Sequence, residues 1–135
     1  MIVVKGSILH YYDKKANNNK FYRAFYYPIS GGYRLVYVWG RENTTGQKKI
    51  ETYTNEDYCR RIMERKLHEK VAKGYQSLGS GEIEVADAME NELSYISDRL
   101  AAVHGKAPNK SKGSGYSFLI IEQELPEDLL ARLMS

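Results

Sequence analysis

Cysteine is almost missing from this chain: Cys59 is the only one in 135 residues. That count excludes an intramolecular disulfide and a cysteine-rich zinc site. Cys59 falls beside Ile62 and Met63 in a predicted helix, which suits a small buried hydrophobe better than a nucleophile. No apolar run approaches the ~18 residues that suggest a membrane span, and no signal-peptide pattern precedes the first strand. These absences predict a soluble, cytoplasmic protein without a membrane partner. A phosphate loop of the Gly-x-x-x-x-Gly-Lys-Ser/Thr type is also lacking. The three histidines, His10, His68 and His104, lie on separate predicted elements without metal-ligand spacing. No catalytic constellation, metal site or cofactor is therefore expected, and the chain does not read as an enzyme.

Charge is present but unevenly placed. The net charge is +3. Residues 1–78 carry 15 Lys+Arg against 7 Asp+Glu, a net of +8. Residues 79–135 carry 5 against 10, a net of −5. The first part is suited to a polyanion, and the second either has other partners or partners the first.

The only tryptophan, Trp39, ends an aromatic run, Tyr33-Arg-Leu-Val-Tyr-Val-Trp39, and is followed by Gly40 and Arg41. Tryptophan offers the largest flat face for stacking on a base or sugar. Gly40 lets the backbone bend and a ligand approach. Arg41 offers a planar fork of donors suited to phosphate. Gly46, Gln47, Lys48 and Lys49 follow, and Asn17-Asn-Asn-Lys-Phe-Tyr22 and Lys73-Gly-Tyr75 flank the run on either side. Together these stretches resemble the WGR domain, whose usual pattern is Trp-Gly-Arg-x-Gly-x-x-Gly-Gln followed by a basic strand. The resemblance covers roughly residues 5–78. The family's first loop glycine is Asn43 here, a residue that tolerates positive φ. Glu42 sets a negative charge beside Arg41, which would pair with it or weaken phosphate binding.

The predicted fold class is α+β: an antiparallel meander with a basic helix packed on it. Strands are expected over residues 2–12, 21–27, 33–39 and 47–53, with a turn from Pro28 to Gly32. Thr54 is the expected N-cap of the helix, with Asp57 as a capping-box partner. Cys59, Ile62, Met63, Leu67 and Val71 should face the sheet, Arg61, Arg65 and Lys66 should be solvated, and Lys73-Gly74 should end it. Two domains follow: 1–78, similar to WGR, and 79–135, an acidic extension. Within the extension, residues 78–81 read as a linker and 82–104 as an acidic helix. Residues 105–115 read as a flexible loop, 116–122 as a strand and 126–134 as a short helix. The stripe Val85, Met89, Leu93, Ile96, Leu100 and Val103 needs a partner: the sheet, another helix, or a second protomer.

The resemblance implies a non-catalytic module that binds nucleic acid, with DNA ends or nicks as the ligand and RNA as the other nucleic acid these residues would suit. It is similar to stand-alone bacterial or phage-type WGR proteins, since no length remains for the catalytic domain found in poly(ADP-ribose) polymerases. By resemblance, Trp39 stacks on the terminal ribose. Asn19, Lys20 and Arg41 match positions near a 5′-terminal phosphate or an adjoining domain. Gly40, Gln47 and Lys49 complete the expected site. The alternative reading is a protein-interaction or regulatory module, using the same surface or the acidic helix.

Overall fold

The computed structural model describes residues 1–105. The strand and short helix expected over 116–122 and 126–134, and all but the first residue of the loop 105–115, lie outside the described residues. Five strands form one antiparallel sheet, β1 (Ile2–Asp13), β2 (Asn18–Ile29), β3 (Gly32–Arg41), β4 (Gln47–Tyr53) and β5 (Gln76–Val85), in the order β4-β3-β2-β1-β5. Helix α1 (Glu56–Ala72) joins β4 to β5, and α2 (Leu93–His104) follows a single 3-10 turn at Glu90–Glu92. The class is α+β.

The three inner strands, β1, β2 and β3, are apolar on both faces, so each face needs a cover. Leu9, Tyr22, Ala24, Tyr26, Leu35 and Tyr37 pack with Cys59, Met63 and Leu67 of α1. On the other face, Val4, Ile8, Phe21, Phe25, Val36 and Val38 pack with Leu93, Ile96 and Leu100 of α2. The result is three layers, helix on sheet on helix. Cys59 is fully buried, and burial pushes its thiol up to about 11.

Several local expectations change. Asn55, not Thr54, caps α1: its side chain accepts from the Tyr58 N–H at 3.0 Å. Both residue types can cap, and the one whose oxygen reaches the third following amide takes the role. Asp57 instead bonds Arg60 and Arg61 on the helix surface, and the Arg61 contact, ahead of Arg60, holds its carboxyl below the ordinary value. The turn expected from Pro28 to Gly32 shrinks to Ser30-Gly31, because Pro28 and Ile29 still pair with Tyr33 and Gly32. Gly31 takes φ +82°, as a tight hairpin requires.

The largest correction concerns residues 76–92. The expected linker at 78–81 and the first part of the expected helix at 82–104 are strand β5, paired with β1 from Ile2↔Val85 to His10↔Gln76. The expected boundary between 78 and 79 falls inside this strand. Glu82 and Glu84 point to solvent while Ile83 and Val85 are buried, the two-residue period of a half-covered strand. The helix begins only at Leu93. The apolar stripe is accordingly divided. Val85, Leu93, Ile96 and Leu100 are buried in the chain's own core, while Met89 and Val103 are more than half exposed. Its partner is the sheet of the same chain, so these residues do not offer the continuous face that a homodimer or protein partner was expected to use.

Burial pushes the phenols of Tyr22, Tyr26 and Tyr37 above their ordinary value of 10.0; the next cause is Glu51 for Tyr22 and Tyr37, and Glu56 for Tyr26. The folded chain therefore keeps protons that the unfolded chain releases near pH 10. Their contribution to stability is intact below that pH and is lost as pH rises through the folded values. Urea midpoints should then hold up to about pH 9, begin to fall as the buried Cys59 thiol adds its share, and fall steeply by about pH 11. A midpoint unchanged at the highest pH would contradict this burial.

Candidate nucleic-acid interface

Side chains alternate along a strand, so register decides which residues can act together. Trp39 lies opposite Tyr22 on β2 and Gln47 on β4, and Tyr37 lies opposite Lys49. All five side chains belong to the α1 face of the sheet. Helix α1 brings Lys66 and Lys70, one turn apart, to the same place. Tyr22, Tyr37, Trp39, Lys49, Lys66 and Lys70 line an open cleft of about 140 Å³. Trp39 is partly exposed, with its ring centroid 6.4 Å from that of Tyr22. The cleft thus joins one accessible aromatic face to three ammonium groups.

The basic side continues past Tyr22. Lys70 Nζ sits 5.0 Å from the Tyr22 ring centroid and 6.0 Å from that of Tyr75. Tyr75 packs on Tyr11 at 5.3 Å, and Lys20 Nζ lies 5.6 Å from the Tyr11 ring. Lys49 and Lys66 have carboxylate neighbours, Glu51 at 3.3 Å and Glu69 at 3.5 Å. Among the described residues, Lys20 and Lys70 have aromatic faces for company and no carboxylate within ion-pair distance. Burial first, then Lys73 and Lys66, with a smaller push from Lys20, hold the Lys70 ammonium below its ordinary value; Glu69 opposes them. An anion brought here would relieve that repulsion.

The loop after β3 shapes the site's rim. Arg41 is exposed, and its Nη2 donates to the Asn17 carbonyl at 3.1 Å. Thr44 N–H and Oγ1 both donate to the Arg41 carbonyl, at 3.2 and 2.7 Å. Asn43 takes φ +68° and Gly46 takes φ +77°, so asparagine adopts the left-handed conformation at its position. A Cβ on Gly40 would stand 2.8 Å from Gly46 Cα. Gly40 is therefore needed to close the loop on itself, whatever a ligand requires.

The expected residues divide between two sides. Trp39, Gln47, Lys49 and Lys20 belong to the α1 face, and Arg41 stands at the strand end beside them. Asn19, one residue from Lys20, is turned to the opposite face, where its Oδ1 is bonded to His10 Nε2. Glu42 also turns that way, with Oε2 3.4 Å from His10 Nε2, and its N–H donates to the Asn19 carbonyl at 2.9 Å. The carboxylate that sequence places next to Arg41 thus pairs with a histidine instead. Lys66, expected only on a solvated helix face, joins the cleft together with Lys70; their i,i+4 spacing and the Tyr22↔Trp39 register were the available signals.

A sequence model of the WGR domain matches residues 7–82, more than half of the chain. This chain belongs to the WGR family. No curated protein matches it. The WGR match runs from β1 to within β5, whereas α2 lies beyond it. WGR is a non-catalytic domain family, and membership suggests nucleic-acid binding in general. Among the described residues, no group of three or more His, Cys, Asp or Glu could hold a metal ion, and no helix is long and apolar enough to cross a membrane.

Proposed function

We propose that this WGR protein reads ends or nicks in DNA through the α1 face of its sheet. The observation that carries the reading is a partly exposed Trp39 in a cleft walled by Lys49, Lys66 and Lys70. A break uncovers a sugar and a base face that intact duplex hides, and a flat aromatic recognises such a face without regard to sequence. Lysines along the cleft, with Lys20 and Arg41 at its edge, supply affinity through phosphate contacts and counterion release. Gln47, opposite Trp39, supplies a polar group beside the ring. Gly40 serves by closing the loop that sets Arg41.

Because Trp39 is the only tryptophan, tryptophan emission excited selectively over the twelve tyrosines reports on this site alone. Titration with a short 5′-phosphorylated duplex should shift or quench the emission, and the same duplex closed by hairpins at both ends should leave it nearly unchanged. Binding that leaves the emission unaltered with either ligand would sink the assignment to this face. A response to open RNA duplex equal to that with DNA would widen the ligand to nucleic-acid ends generally.

A further inference from the structure

His10 is buried at 3 % exposure, yet its Nε2 is hydrogen-bonded to one polar side chain and lies 3.4 Å from a second, each from another stretch of the chain. One is Asn19, near the start of β2; the other is Glu42, just past β3. The Asn19 atom facing the ring is its amide oxygen, which accepts, so Nε2 donates to it, and the Glu42 carboxylate oxygen lies 3.4 Å from the same nitrogen. The Glu42 N–H bond to the Asn19 carbonyl and the Arg41 bond to the Asn17 carbonyl tie the same two stretches together on either side. One imidazole thus pins the 17–19 corner to the loop that follows Trp39-Gly40-Arg41.

We propose that His10 is a positioning residue for nucleic-acid binding, holding Asn19 and the Glu42 carboxylate on the face away from Trp39 so that Arg41 meets phosphate without a competing anion. The inference rests on the proposed reading of the Trp39 face. It gives Asn19 a structural task in place of direct phosphate contact. It also explains how a carboxylate directly after Trp-Gly-Arg is compatible with an anionic ligand. Released from His10, Glu42 occupies an exposed turn one residue from Arg41, where it repels phosphate and attracts the guanidinium.

The test is a double-mutant cycle on the full chain, with affinity for an open 5′-phosphorylated duplex as the readout. His10→Phe keeps a planar aromatic ring, slightly larger, and removes the donor; it should weaken binding by roughly fivefold or more, within the coupling range of contacting polar residues. Glu42→Gln, which keeps the side chain's shape and removes its charge, should bind as well as wild type or slightly better. The double variant should recover most of the loss. A purely packing role for His10 predicts the same loss in the double variant as in the single, and that result would overturn the proposal.

Ring nitrogen shifts of His10 by NMR, read on the free wild-type chain, check the geometry whether or not His10→Phe folds. A proton on Nε2, with a shift that responds to Glu42→Gln, is expected; a bare Nε2 would overturn the proposal. Wild type that fails to bind any open duplex would instead overturn the proposed function, and the inference with it.

Discussion

A chain ended after Leu78 should lose its cooperative fold. Such a chain keeps most of the motif-bearing residues, so a reading from motifs alone would keep it intact. The structure forbids it, because the cut falls within β5 and removes α2 entirely. Strand β1 would lose its β5 partner from Ile2 to Ile8, and Val4, Ile8, Phe25, Val36 and Val38 would face water. Leu93, Ile96 and Leu100 are completely buried, and each such side chain is worth about 1.5–3 kcal/mol of burial. Removing all three together approaches the ~5–15 kcal/mol net stability of an ordinary domain. A graded arm separates α2 from the strand. Leu100→Ala leaves β5 in place and should lower the unfolding free energy by about 2–5 kcal/mol in urea titrations. A chain ended after Leu78 that melts cooperatively, with Leu100→Ala indistinguishable from wild type, would contradict a core shared with α2.

That result bears on what the sequence allowed. The meander was legible because its strands carry local signals: aromatic runs, a Gly-Gly turn, and an asparagine that tolerates φ +68° where the family has glycine. The end of α1 was legible too, with Lys73 as C-cap and Gly74 at φ +109°. Strand β5 was not. Its Leu78-Gly-Ser-Gly81 stretch looks like a linker, since glycine weakens any local strand preference. In the sheet those glycines answer to distant neighbours: a Cβ on Gly81 would stand 2.4 Å from His104 Cε1, and the His104 ring donates to the Glu82 carbonyl at 2.7 Å. The spacing of Val85, Met89 and Leu93 imitates a helix, and the strand period of Glu82-Ile83-Glu84-Val85 gains its meaning only from pairing with β1, some 80 residues away.

The site was legible in the same partial way. Trp39, Gln47 and Lys49 could be joined by strand register. Lys66 and Lys70 required knowing which side of the sheet α1 covers. Asn19 and Lys20 are adjacent in sequence and belong to opposite faces, a consequence of strand alternation once β2 begins at Asn18. The meeting of Asn19 and Glu42 at His10 depends on the exact β1–β2 register and on Glu42 turning to the same face, which residue spacing does not announce.

Replacing Trp39 with alanine should cost binding to an open DNA end about one to two decades. The figure follows from stacking worth roughly 1–3 kcal/mol per base, at ~1.4 kcal/mol per decade. Only part of the ring is buried, against Tyr22 and its neighbours, so the fold should survive the change. The lysines remain in the variant, so its residual binding should be salt-sensitive and indifferent to ends. Fluorescence anisotropy with a labelled 5′-phosphorylated duplex, beside the same duplex closed by hairpins, at two salt concentrations and for wild type and Trp39→Ala, tests the central claim most directly. Tighter wild-type binding to the open duplex, weakening steeply with salt, and a preference for ends that vanishes in Trp39→Ala are expected. Equal affinity of the wild type for open and closed duplexes, unchanged in the variant, would contradict it.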